Sequence, residues 1–144
     1  MRYSDFRGQF AIECKLMIIF TNGCFDILHR GHIELLAYCK TLGDVIVGLN
    51  SDESVKRLKG KGRPTNSVFD RKRILEALRY VDQVIVFDED TPYNLIREIS
   101  PDIIVKGGDY SADDVVGGDL CKVQIFDLLD GYSTTNIINR IRSQ

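Results

Sequence analysis

Five short apolar runs, each rich in β-branched residues and most followed by a stretch with helical spacing, most constrain how this chain can fold. Residues 16–20, 45–49, 84–87, 103–105 and 123–126 are too short for helices and lack the alternation of a half-solvated strand. Such runs are expected of strands buried on both faces. Between them, residues 31–42 carry apolar Ile33, Leu35, Leu36, Ala37 and Cys39, and residues 52–58 follow the candidate N-cap Ser51. Val68, Ile74, Leu75, Leu78 and Val81 form an apolar stripe behind a second candidate cap, Ser67. Thr91-Pro92 reads as an N-cap followed by proline at the first helical position, and a closing helix is expected over 134–141. This order predicts an α/β fold, a five-stranded parallel sheet with helices on both faces. One domain over 16–144 accounts for the pattern, and residues 1–15 form an arm outside it.

Charge narrows the function. The net charge of −2 provides no global field for a nucleic acid, so any affinity for a polyanion must come from a local cluster. Cys14, Cys24, Cys39 and Cys121 form no closely spaced pair, which argues against structural zinc and for free thiols, with Cys39 and Cys121 packed as small hydrophobes. No leader or membrane-spanning run is expected, and the free thiols point to the cytoplasm.

In open parallel sheets, ligands bind beyond the carboxyl ends of the strands, where strand order reverses. The chemistry-bearing residues fall just after strands. The segment TNGCFDILHRGH, residues 21–32, links the first strand to the first long helix. A helix N-terminus offers unpaired N–H groups and partial positive charge, and Gly31 permits close approach. His29 and His32, the chain's two histidines, share a face if both join that first turn. They can donate hydrogen bonds to phosphate; the same pair also suits a solvated helix start or half of a metal site. The absence of GxxxxGK[ST] and GxGxxG excludes a P-loop and the dinucleotide fingerprint. The basic loop Lys59-Gly60-Lys61-Gly62-Arg63-Pro64 is either solvated or closes on a polyphosphate. Lys106-Gly107-Gly108-Asp109 is either a plain turn or a ligand contact, and Ser133-Thr134-Thr135 can cap a helix and bind phosphate with the same end.

Taken in order, TNGCFD (21–26), NSDESVKRLKGKGRP (50–64), FDEDTP (87–92), VKGGDY (105–110) and DGYSTTNII (130–138) resemble the cytidylyltransferase-like superfamily of HxGH nucleotidyltransferases. Within it, they resemble the adenylyltransferase branch of ADP-heptose synthesis, over about residues 16–143. The resemblance implies a Rossmann-like nucleotidyltransferase fold in a cytoplasmic homodimer with no nucleic-acid or membrane partner. It also implies a reaction of ATP with heptose 1-phosphate, giving ADP-heptose for lipopolysaccharide and pyrophosphate, with Mg²⁺ bound mainly through the triphosphate. His29, His32 and Lys59 are the implied catalytic residues. The implied nucleotide contacts are Thr21, Asn22, Gly23, Cys24, Phe25, Gly31, Lys61, Arg63, Lys106, Gly108, Asp109, Ser133, Thr134 and Thr135.

Asp26 is expected to organise the turn and, with Arg79, is a weaker candidate for the acceptor. Arg79 lies in LRYVD, which resembles the glycerol-phosphate branch, and it either holds an acceptor phosphate or lies on a solvated helix face. Leu128-Leu129-Asp130-Gly131 stands where that branch carries an arginine-containing RTEG-type segment, which favours adenylyl transfer. The stretch from 110 to 123 is shorter than in typical heptose enzymes, with consequences for the acceptor pocket or a subunit contact. A glycerol 3-phosphate cytidylyltransferase and a non-catalytic nucleotide sensor are the alternatives. A phosphate monoester is already ionised at neutral pH, so the expected chemistry is direct attack on the α-phosphorus, driven by positioning and electrostatics without a general base.

Overall fold

The computed structural model describes residues 16–108 and 111–144. The expected arm at 1–15, with Cys14, and the candidate Asp109 lie outside the described residues. Strands β1 (Ile18–Gly23), β2 (Asp44–Asn50), β3 (Gln83–Phe87), β4 (Ile103–Gly107) and β5 (Lys122–Phe126) form one sheet in the order β3-β2-β1-β4-β5. Every pairing is parallel, as anticipated. Helices α1 (Arg30–Leu42), α2 (Asp52–Lys59), α3 (Val68–Glu76), α4 (Tyr93–Ile99) and α5 (Thr134–Arg142) connect or follow the strands.

Alternate residues of each strand supply two cores. On one face, Ile19, Val45, Val47, Ile103 and Val105 pack with Leu35, Leu36 and Cys39 of α1 and Leu75 of α3. On the other, Phe20 and Ile104 pack with Ile96 of α4, joined by Ile46 and Val123. Gly48 belongs to this second face, because a Cβ there would come within 2.7 Å of the Phe20 ring. Fully burying each aliphatic side chain is worth about 1.5–3 kcal/mol.

Three boundaries differ from expectation. Strand β1 starts at Ile18 and continues through Thr21, Asn22 and Gly23, which pair in register with Val47, Gly48 and Leu49. Its apolar run ends before the strand does, because the last residues line a cavity at the carboxyl end of the sheet rather than packing in the core. Helix α3 stops at Glu76; Leu78 and Val81 belong to tight turns, with Leu78 N–H donating to the Leu75 carbonyl and Val81 N–H to that of Leu78. Both still pack on the core, which is why the stripe extends beyond the helix. At α4, Pro92 rather than Thr91 occupies the cap position, and no side chain caps the helix. Ser51 and Ser67 do cap their helices, accepting from Ser54 N–H at 3.1 Å and Asp70 N–H at 3.3 Å. Between β4 and β5, a 3₁₀ turn at Ala112–Asp114 fills part of the short connection.

Candidate active site

Strand order reverses between β1 and β4, and a cavity of about 620 Å³ opens at their carboxyl ends. Its lining includes Thr21, Asn22, Gly23, Cys24, Phe25, Asp26, His29, Gly31, His32, Lys59, Arg63, Lys106, Ser133, Thr134 and Thr135. Lys61 and Gly108 are not in that lining. Lys61 sits on the exposed tip of the basic loop, and Gly108 N–H donates to the Phe126 carbonyl at 3.2 Å. Arg79 lies in the turn before β3, at the amino end of the sheet, with its guanidinium over Tyr80 and 2.8 Å from the Tyr80 hydroxyl.

The histidines are built into the start of α1. His29 occupies the N-cap, where its Nδ1 accepts from Gly31 N–H at 3.0 Å; His32 Nδ1 accepts from His29 N–H at 3.3 Å. Their rings stack with centroids 3.8 Å apart. Burial lowers the pKa of His29, and burial together with the neighbouring His29 lowers that of His32 to about 4. Both imidazoles are therefore neutral at pH 7. Since each Nδ1 accepts a hydrogen bond, the ring proton must sit on Nε2. The cap thus fixes two Nε2–H donors. Gly31 is needed for this arrangement, because a Cβ there would lie 2.9 Å from the His29 ring.

Phe25 has a left-handed backbone (φ 44°), a rare conformation for a bulky residue that turns the chain sharply after β1. Its ring centroid lies 5.1 Å from that of His32. Asp26 is 3% exposed and accepts from Thr65 N–H at 2.7 Å and Asn66 N–H at 2.8 Å, with Arg63 Nε at 3.6 Å. It pins the basic loop to the β1 turn and brings Arg63 to the cavity. The N-terminus of α5 is held by Thr134, whose hydroxyl donates to the Ile27 carbonyl at 3.0 Å, while Ser133 caps it through Asn136 N–H at 3.0 Å. Two helix N-termini therefore meet at one end of the cavity. The Thr21 hydroxyl is buried at the cavity with no hydrogen-bond partner, so its donor is left for a ligand.

Sequence reasoning missed Arg71. It is fully buried in α3 and donates to the carbonyls of Cys24 (2.7 Å), Asn50 (2.9 Å) and Asn66 (3.0 Å) and to the Asp52 carboxylate (2.8 Å). One guanidinium ties together the β1 turn, the end of β2, the basic loop and the start of α2. The signal was available: Arg71 interrupts the apolar stripe between Val68 and Leu75, a position where a solvated charge does not belong. Asn50, Asp90 and Thr91 also face the cavity. The loop carrying Asp90 and Thr91 is held to α2, with Ser54 Oγ donating to the Glu89 carbonyl at 3.2 Å and Arg57 pairing with Asp90 at 2.8 Å.

Residues 20–140 match the cytidylyltransferase-like family. The chain belongs to that family. It is 57% identical over 130 residues to the bifunctional protein HldE of Campylobacter concisus, covering 89% of this chain and 28% of the relative. The HldE of a Nitratiruptor species is 59% identical over 128 residues, with 88% and 28% covered. The chain thus spans little more than a quarter of the length of these curated relatives. Among solved structures, a lipopolysaccharide core biosynthesis protein from Thermoplasma volcanium matches with a TM-score of 0.67 and 28% identity, over 82% of this chain and 99% of that one. A pantoate–β-alanine ligase from Francisella tularensis, at 17% identity and a TM-score of 0.59 over 97% and 76% of the two chains, shares the fold.

Proposed function

We propose that this chain is an adenylyltransferase that joins ATP to heptose 1-phosphate, giving ADP-heptose and pyrophosphate, in the cytoplasm and as a homodimer. The observation that carries the transfer chemistry is the pair of Nε2–H donors fixed at the start of α1, beside the N-terminus of α5. Two helix ends and two neutral donors suit the polyphosphate of a nucleotide. The choice of base and sugar rests on the sequence motifs and on the similarity to the HldE proteins.

On this reading an oxygen of the acceptor phosphate attacks the α-phosphorus, and the bond from that phosphorus to the bridging oxygen of the pyrophosphate breaks. The electron pair leaves with the pyrophosphate, and no proton needs to be removed from the nucleophile. His29, His32 and the N-termini of α1 and α5 stabilise charge growing on the leaving group, while Lys59 and Arg63 draw the α-phosphate into position. Thr21 and Asn22 serve the nucleotide from the end of β1. The turn after β4, with Val115, Val116 and Leu128 beside Gly107, gives the base an apolar wall and backbone polar groups.

Mg²⁺ would enter with the nucleotide. Among the described residues no three histidine, cysteine or carboxylate side chains group to hold a metal ion, and at the cavity Asp26 is engaged by the basic loop and Asp90 by Arg57. A bound Mg²⁺ would be held mainly by the triphosphate and would neutralise part of its charge.

The test is pyrophosphate release from the protein with Mg²⁺, each of four nucleoside triphosphates, and heptose 1-phosphate or glycerol 3-phosphate. Release is expected with ATP and heptose 1-phosphate. Release confined to CTP and glycerol 3-phosphate would overturn the assignment.

A further inference from the structure

The sheet order β3-β2-β1-β4-β5 divides the cavity into two sides about the end of β1. On the β4–β5 side lie Gly107, Val115, Val116 and Leu128, the wall assigned above to the base. The other side is lined by Asn50 at the end of β2, Leu58 and Lys59 at the end of α2, and Asp90, Thr91 and Pro92 between β3 and α4. In-line displacement brings the acceptor to the α-phosphorus opposite the leaving group. With pyrophosphate at the starts of α1 and α5 and the base on the β4–β5 side, the β2–β3 side is left for the acceptor.

We propose that Asp90 and Thr91 recognise the acceptor's sugar hydroxyls, and that Arg57 is a positioning residue that holds them at the cavity. This assignment rests on the adenylyl-transfer reading and names the part of the site that distinguishes a sugar phosphate from a smaller polyol phosphate.

The first observation is how the connection after β3 is held. Residues 88–91 are exposed, and an exposed connection is ordinarily mobile. Here a single helix fastens it residue by residue. Ser51 N–H donates to the Phe87 carbonyl at 2.9 Å, and the Ser51 hydroxyl donates to the Asp88 carboxylate. Ser54 Oγ donates to the Glu89 carbonyl at 3.2 Å and accepts from the Asn50 amide at 3.0 Å. Arg57 completes the row, with Nη2 donating to the Asp88 carbonyl and Nε to Asp90 Oδ1 at 2.8 Å. Pro92 is buried and secures the far end. Helix α2 and the connection therefore form one wall, set before a ligand arrives, which lowers the ordering cost of binding.

The second observation is what that wall offers. Arg57 engages Oδ1 of Asp90, which leaves Oδ2 to accept from a hydroxyl. Thr91 lines the cavity, and no side chain caps α4, so its hydroxyl is not committed to the helix that follows. A carboxylate oxygen beside a hydroxyl that both donates and accepts suits neighbouring sugar hydroxyls. The carboxylate also repels a phosphate, so the acceptor's phosphate lies towards Lys59 and Arg63 and its hydroxyls towards Asp90 and Thr91.

The experiment uses the full chain and the variants Asp90→Ala, Thr91→Val, Arg57→Met and Arg57→Lys. Three quantities are read: the KM for heptose 1-phosphate at saturating ATP, the Kd of the unreactive analogue α,β-methylene-ATP with Mg²⁺, and the Kd of heptose 1-phosphate for protein already holding the analogue. Asp90→Ala is expected to raise the acceptor KM about 20-fold and Thr91→Val about fivefold, with the nucleotide Kd within about threefold of the wild type. Arg57→Met should raise the acceptor KM about tenfold, and Arg57→Lys, which keeps the ion pair but not both bonds, should recover part of that loss. A merely structural role for Arg57 would not confine the effect to the acceptor. An acceptor KM within about twofold of the wild type in both Asp90→Ala and Thr91→Val would overturn the proposal, as would a nucleotide Kd weakened about tenfold with the acceptor KM unchanged. The binding measurement is independent of turnover. If the wild type binds heptose 1-phosphate, Asp90→Ala binds it about 20-fold more weakly and neither releases pyrophosphate, the adenylyl-transfer reading fails while the sugar wall stands. No binding of heptose 1-phosphate to the wild type would overturn the sugar wall itself.

Discussion

His32 has two tasks that can be separated by experiment. Its Nδ1 completes the cap of α1, and its ring lines the cavity with Nε2–H as the remaining donor. Removing one preorganised donor costs about 2.7–4 kcal/mol of transition-state stabilisation, on the order of a hundred- to thousand-fold in rate. Losing the cap interaction costs about 1 kcal/mol of stability. His32→Ala is therefore expected to lose kcat far out of proportion to its stability, as measured by pyrophosphate release and urea unfolding. An unchanged kcat would sink the donor role. Protonation makes a second test at the same residue. The folded-state pKa of about 4 lies below the ordinary 6.5, so the unfolded chain binds the proton more readily. The stability associated with neutral His32 is complete above pH 6.5 and is lost as pH falls towards 4, by roughly 3 kcal/mol over that interval. Unfolding free energies measured from pH 7 to 4 should show this slope in the wild type and a reduced one in His32→Gln; parallel curves would refute the assignment. The two histidines and their glycine were legible in the sequence as candidate phosphate contacts, and the structure brings all three to one cavity. The location of the ring proton was not legible, because it depends on cap geometry that no spacing encodes.

Among the connections between elements, Arg71 matters most. Its guanidinium serves three carbonyls and a carboxylate belonging to four separate segments, all within reach of α3. Truncating it strands these acceptors, and Asp52 loses its cationic partner. Arg71→Met is expected to destabilise the fold by about 3–5 kcal/mol, read as a lower urea midpoint. Arg71→Lys keeps the charge but cannot reproduce the planar fork, so it should recover only part of that loss. A midpoint within error of the wild type for Arg71→Met would show that the segments hold together without it. The helices and strands themselves were readable because buried runs and serine caps are local signals. Their ends were less readable where function displaces the pattern. Thr21 to Gly23 stay in β1 without apolar side chains, and Thr91 lines the cavity instead of capping α4. Arg71 escaped notice for a related reason: its partners are backbone carbonyls, and a sequence gives no indication of which carbonyls lack donors.

For the molecule as a whole, the parallel sheet brings residues from positions 21 to 135 to one cavity, so a ligand that fills it braces several elements at once. Binding should then appear as thermal stabilisation. A nucleotide at 100 times its Kd contributes roughly 2.7 kcal/mol. For a chain of this length that corresponds to a rise in Tm of roughly 8 °C. With Mg²⁺ present, ATP is expected to give this shift and CTP a much smaller one, because on the proposed reading the base and ribose lie against Gly107 and Leu128 as well as the phosphate end. The phosphate end alone cannot discriminate: helix N-termini and imidazole donors treat all triphosphates alike. A larger shift with CTP would therefore locate the error in the reading of the base wall, around Gly107 and Leu128, and leave the phosphate chemistry intact. Equal shifts with ATP, CTP and free tripolyphosphate would mean that the base wall contributes nothing, and specificity would then have to arise from the acceptor or from a partner subunit.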